Sequence, residues 1–139
     1  MREFAPYLLA GSAAILFLIG LLHLRDTFHG HKLWPRDAEL QERMSTVSPI
    51  ITSKMTMWKA WVGFNASHSF GALLFGVVYG YLALMHSEFL FDSLFLLGVG
   101  LVLLCGYAFL GKRYWFSIPF RGILLSLSLY VLALISAVV

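Results

Sequence analysis

Four stretches of the chain are long apolar runs, and most of the polar positions are gathered between them. The first, "FAPYLLAGSAAILFLIGLLHL", covers residues 4–24. The second lies within "MWKAWVGFNASHSFGALLFGVVYGYLALM" and is read as a helix over 58–85. The third, "FLFDSLFLLGVGLVLLCGYAFLG", is best taken as 93–111, because Asp92 belongs near water. The fourth, "SIPFRGILLSLSLYVLALISAVV", covers 117–139. Each approaches the roughly 20 residues that a helix needs to cross a hydrocarbon core about 30 Å thick. In lipid, backbone N–H and C=O groups must pair within their own segment, so runs of this kind are helices. The pattern predicts an all-α fold, an antiparallel bundle of four transmembrane helices. It forms one integral membrane domain over residues 1–139, with 25–57 as its only sizeable loop. The first run opens as a signal peptide does, with Arg2 before an apolar core. It is long, however, and "HLRD" is a poor cleavage region, so it is read as a retained membrane helix.

Within the loop, "PRDAELQERMSTV" predicts a short helix from Pro35, a residue well tolerated in a first turn, that stops before Pro49. Leu40, Met44 and Val47 would share one face. Such a helix could lie on the headgroup surface or cap the bundle; a solvated connector is the plainer alternative.

Composition agrees with the pattern: 60% of residues are hydrophobic and 12% charged, where soluble domains carry roughly 25% charge. The net charge of +3 matters less than its placement. The first loop region carries Arg25, Lys32, Arg36, Arg43, Lys54 and Lys59, and the third carries Lys112, Arg113 and Arg121. The segment "HSEFLFD" between the second and third runs has no basic residue, nor has the C-terminus; only Arg2 dissents. By the positive-inside rule the 25–57 loop is cytoplasmic, the membrane is the cytoplasmic (inner) one, and both termini face outward. Trp34, Trp58, Trp61 and Trp115 all fall at that inner boundary, where interfacial aromatics belong. The expected partner is the lipid bilayer, not a nucleic acid.

The second run raises a chemical question. Asn65, Ser67, His68 and Ser69 place four hydrogen-bonding side chains within five positions of an apolar span. Trp58, Trp61, Asn65, His68, Ala72, Phe75 and Tyr79 recur in steps of three and four and form one stripe. Gly63, Ser67 and Gly71 form a second line, with small residues spaced to let a neighbouring backbone approach. Small residues recur in the fourth run at Gly122, Ser126, Ala133 and Ala137.

His68 lies nine residues beyond Lys59, hence about 13 Å along a helix. Ionisable groups at that depth usually face a bundle interior and mark functional sites. Asn65 and His68, three apart on one face, could grip a common ligand, or they could be interhelical packing contacts. Ser67 and Ser69 can bond a carbonyl one turn back; Ser67 is read as packing and Ser69 is left open. A ligand site requires His68 to face the interior beside a cavity, with the first or fourth helix in its wall.

His23 with His68 would invite bis-histidine haem ligation. Measured from Arg25 and Lys59, however, His23 comes out some 10 Å shallower than His68, unless the first helix continues past Arg25. His29 and His31 lack the carboxylate or cysteine that would complete a metal site, so no metal is assigned and no cofactor is specified. Arg121 follows Pro119 near a helix start, where the dipole disfavours a cation. Its charge could be met by snorkelling to a lipid phosphate, by Asp26, or by an anionic ligand head.

Several activities are excluded. No Asp or Glu lies inside a span, so the carboxylate relay of proton-coupled transport is missing. Cys105 is the single cysteine and cannot run dithiol chemistry. There is no Walker loop, no H-E-x-x-H and no hydrolase triad at one depth.

The motifs "GLLHL", "WPRDAEL" and "MWKAWVGFNASHSFG" together resemble a family of small four-helix bacterial membrane proteins with a G-F-N-x-S-H-S-x-G motif and no assigned activity. The resemblance covers most of residues 20–80. It implies the same topology and membrane residence, and it draws attention to His23, Asp37, Asn65, His68 and Arg121. The combined expectation is a membrane protein binding a lipid-like or small amphiphilic ligand. Its site would comprise Asn65, His68, Ser69, Trp61, His23 and Arg121, and the chain could associate with itself or a partner subunit. A membrane enzyme or redox subunit using His68 as acid-base group or cofactor ligand, and a structural subunit, are the alternatives.

Overall fold

The computed structural model describes residues 2–138, so Val139 at the end of the fourth expected span lies outside the described residues. A 3-10 turn at Arg2–Phe4 leads into α1 (Ala5–Phe28); α2 (Ala38–Thr46), α3 (Met57–Met85), α4 (Ser87–Asp92), α5 (Leu94–Tyr114) and α6 (Ser117–Val138) follow. The fold is all-α, and α1, α3, α5 and α6 are long and apolar enough to cross a membrane. The chain divides into two compact units: residues 1–19 with 72–139, and residues 20–71.

The first unit is a four-helix bundle whose neighbour contacts close a ring. The backbones of α1 and α3 meet where Gly76 lies against Ala13 and Phe17, with Gly80 against Ala13. On its other side α1 meets α6, with Ser12 and Ser126 Oγ atoms 3.0 Å apart and Gly122 against Ile19. The Tyr79 hydroxyl of α3 donates to the Leu96 carbonyl of α5 at 2.6 Å. Tyr130 of α6 donates to the next carbonyl, Leu97, at 2.9 Å, and Gly111 of α5 packs on Phe120 of α6. In the α1–α3, α1–α6 and α5–α6 pairs, rising numbers on one helix meet falling numbers on the other, so these helices run antiparallel.

Gly100 has a particular reason to be glycine. A β-carbon there would collide with the Tyr130 hydroxyl and stand 2.8 Å from the Tyr79 ring. The bundle core is built from Leu9, Leu16, Phe75, Leu104, Ile123, Tyr130 and their neighbours. Ser12 and Ser126 are fully buried, and the Ser126 hydroxyl also donates to the Ser12 carbonyl at 2.9 Å, so neither helix carries an unsatisfied hydroxyl into the core. The outside of the bundle is apolar as well: Leu18, Leu74, Val102, Phe109, Leu125 and Ile135 are all exposed. A soluble monomer rarely exposes contiguous apolar patches of more than a few hundred Å²; helices hydrophobic all round are what lipid accepts.

Several boundaries differ from expectation, each for a local reason. α1 does not stop at residue 24. It runs four residues further, carrying Arg25 and Asp26, and ends where Gly30 adopts φ +92°, the left-handed conformation that glycine supplies after a helix. α4 was not foreseen, since six residues are too few for a period to show; its Leu90 is fully buried. α5 begins at Leu94 because the Ser93 side chain accepts the Leu96 N–H. It continues to Tyr114, placing Lys112 and Arg113 in the last turn, where the helix dipole favours cations.

The second unit comprises the end of α1, the loop with α2, and the start of α3. α2 is present but starts at Ala38, three residues later than Pro35, because Asp37 is its cap. One Asp37 carboxylate oxygen accepts the Glu39 N–H at 2.9 Å and the Leu40 N–H at 3.4 Å, two of the donors that a helix start leaves unpaired.

Candidate functional site

α1 and α3 come side by side in the second unit and bring His23, Asn65 and His68 together. His23 Nε2 is 3.0 Å from Asn65 Oδ1. Asn65 Nδ2 in turn donates to the Trp61 carbonyl one turn back, at 2.8 Å. That second bond fixes the orientation of the amide: with its NH2 committed to α3, its oxygen faces α1. An amide oxygen only accepts, so His23 carries its proton on Nε2 and donates it. The His68 ring stands edge-on to His23, centroids 5.5 Å apart, and Phe64 stacks on His68 at 6.4 Å and 15°. His68 is partly buried and Asn65 is 8% exposed.

This closeness corrects the depth reading. His23 is not some 10 Å shallower than His68, because Arg25 and Lys59 do not mark one level. The loop folds back along the first turns of α3. Trp34 lies edge-on to Trp58 with centroids 5.4 Å apart, and Trp61 Nε1 donates to the Leu33 carbonyl at 3.1 Å. The first turns of α3 therefore pair with the loop, and the next two pair with α1 around His23.

The other singled-out residues fall as follows. Ser69 is fully buried and its hydroxyl donates to the Asn65 carbonyl at 2.9 Å. Ser67 is exposed, its hydroxyl turned back to the Phe64 carbonyl at 2.9 Å. Gly63 has open space where a β-carbon would go, so the Gly63–Ser67 line does not hold a neighbouring helix of this chain. Equal spacing of small residues marks a face but says nothing about whether anything covers it. Arg121 is exposed on α6 and belongs to the bundle unit. Asp26 pairs with Lys32 at 2.8 Å and with Arg25 at 3.4 Å.

Phe64 was not foreseen as part of the site, although its position four residues before His68 places it on the same helix face. Thr27 was missed too; it donates to the His23 carbonyl at 2.7 Å and supports the α1 turn that carries the imidazole. Among the described residues, no three His, Cys, Asp or Glu side chains gather as a metal-ligand group. Two surface recesses lie elsewhere. One is beside α2, with Leu40, Met44 and Met57 in its wall, and the other is at the α4 end of the bundle, near Glu3, Glu88 and Asp92. Neither includes His23, Asn65 or His68, so the imidazoles meet any ligand outside those recesses. The helix-one wall expected for a site at His68 is present in His23; the adjoining cavity is not supplied by either recess.

Chemically the arrangement offers an imidazole oriented by its bond to Asn65, a second imidazole beside it and two aromatic side chains, Phe64 and Trp61. No protein-family model, curated protein or solved structure matches the chain.

Proposed function

We propose that this multi-pass membrane protein resides in the cytoplasmic membrane with the 29–56 loop inside and both termini outside, and that it binds the polar head of a lipid-like or small amphiphilic molecule beside His23 and His68. The observation that carries the binding reading is the tethered amide of Asn65. Its two bonds, to Trp61 and to His23, keep a proton on His23 Nε2 and fix the orientation of that imidazole next to a second that is only partly buried. Ionisable groups placed inside an apolar span usually mark functional sites, and here two imidazoles stand side by side. The apolar flank of Phe64 and the exposed Trp61 suit the upper part of an acyl or isoprenoid chain.

A second reading has its own support: the His23–Asn65 bond joins two helices, which is what a packing clasp does. Native mass spectrometry of protein released gently from membranes separates the two. Wild type should carry an amphiphile that His68→Ala loses while keeping its helical content. Retention of the same bound species by His68→Ala, with only a changed unfolding midpoint, would leave the clasp.

A further inference from the structure

Residues 47–57 form a closed loop whose ends are tied by the Met57 N–H donating to the Val47 carbonyl at 2.8 Å. Inside it, Thr52 N–H donates to the Pro49 carbonyl at 3.2 Å and Lys54 N–H to Thr52 Oγ1 at 3.1 Å. It is thus a compact Ω-type loop with its own internal bonding. At its tip stand Ile50 and Ile51, 108% and 87% exposed. Side chains of this kind are ordinarily the most buried in a protein, and here two adjacent ones are held outward on a bonded turn.

Along the chain the tip is flanked by cations, while Asp37 and Glu39 share a recess with Val47 and Met57 at the base of the loop. From Arg43 to Lys59 the chain carries Arg43, Lys54 and Lys59 and no carboxylate; the acids flanking this stretch are Glu42 and Glu88. The loop ends at Met57, the first residue of a helix long and apolar enough to span the membrane, with Trp58 next to it. A loop attached there cannot leave the bilayer surface. An apolar tip, lysines on its C-terminal side and attachment at the interface are together the chemistry that reads an anionic lipid surface.

We propose that the 47–57 loop is a lipid-reading wedge, inserting Ile50 and Ile51 between headgroups while Lys54 and Lys59 pair with anionic phosphates. The inference needs only that α1 and α3 span the membrane, and it is independent of any ligand at His23 and His68. The test uses full-length protein with Cys105→Ala and Ile51→Cys, the new thiol carrying an environment-sensitive fluorophore. It is measured in detergent, in phosphatidylcholine vesicles, and in vesicles of phosphatidylcholine with phosphatidylglycerol. Ile50→Cys serves as the second labelled variant.

In the anionic vesicles the emission should shift to the blue and quenching by aqueous iodide should fall several-fold. Phosphatidylcholine and detergent should leave the probe open to iodide. Raised ionic strength, or Lys54→Gln, should return the anionic sample toward the phosphatidylcholine result, since exposed charges are screened. A probe open to iodide in both kinds of vesicle overturns the wedge. Equal shielding in both overturns the anionic recognition. Shielding already present in detergent means that the cover of the tip does not depend on an anionic surface, and also overturns it.

Discussion

Replacing Asn65 by Leu and His23 by Phe, singly and together, measures the bond on which the site is built. Both replacements keep side-chain bulk while removing the amide and the imidazole nitrogens. Interhelical hydrogen bonds within membranes average about 0.6 kcal/mol and reach about 1.7. This one should fall in the upper half, because the acceptor is held by a second bond at 2.8 Å and Asn65 is 8% exposed. A coupling of about 1–1.7 kcal/mol is therefore expected.

Asn65→Leu alone should cost more than the coupling, roughly 1–3 kcal/mol, because it strands the His23 N–H as well. The Ser69 hydroxyl bonds the Asn65 backbone carbonyl, which survives the change, so the loss reports the side chain. Reversible unfolding in mixed micelles, followed by circular dichroism, gives the four free energies of the cycle. A coupling within about 0.3–0.5 kcal/mol of zero, the range of independent sites, would refute the bond as a stabilising link. It would also remove the tautomer assignment of His23.

Two further outcomes follow from geometry. In Gly76→Ala the new methyl meets the α1 backbone, 3.0 Å from both the Ala13 carbonyl oxygen and the Phe17 Cα, which cannot rotate away. An overpacking cost of about 1–3 kcal/mol should outweigh the ~1 kcal/mol gain in helix propensity. Gly63→Ala meets nothing within 4 Å and should be neutral or stabilising by up to about 1 kcal/mol; a midpoint that moves the same way in both variants would contradict the packing described. Asp37→Ala should remove about 1 kcal/mol from α2, and roughly fivefold faster amide exchange at Glu39 and Leu40 is expected. The same measurement should show α3 unaffected, since the cap bonds are local to α2.

Much of the architecture was legible in the residues themselves. Long apolar runs have few solutions in lipid, so four spans and an all-α fold follow from length and hydropathy alone. Of the stripe from Trp58 to Tyr79, Asn65, Ala72, Phe75 and Tyr79 are buried as its period required, while Trp58 and His68 are partly buried and Trp61 is exposed. Ser126 and Ala133 are buried too, because burial on a helix is set by angle.

Pairing between helices was decided only by the tertiary structure. Distance along one helix measures depth only if the ends are level, and the fold-back of Leu33 and Trp34 along α3 shows that they are not. That offset brings His23 to Asn65, 42 residues away in sequence, and to His68. Likewise the spacing of Gly63 and Ser67 matched that of Gly76 and Gly80, yet only Gly76 and Gly80 meet α1 within the chain. The period of a sequence states which residues share a face. Which face meets which neighbour, and at what height, depends on loops and helix ends whose contacts are not periodic.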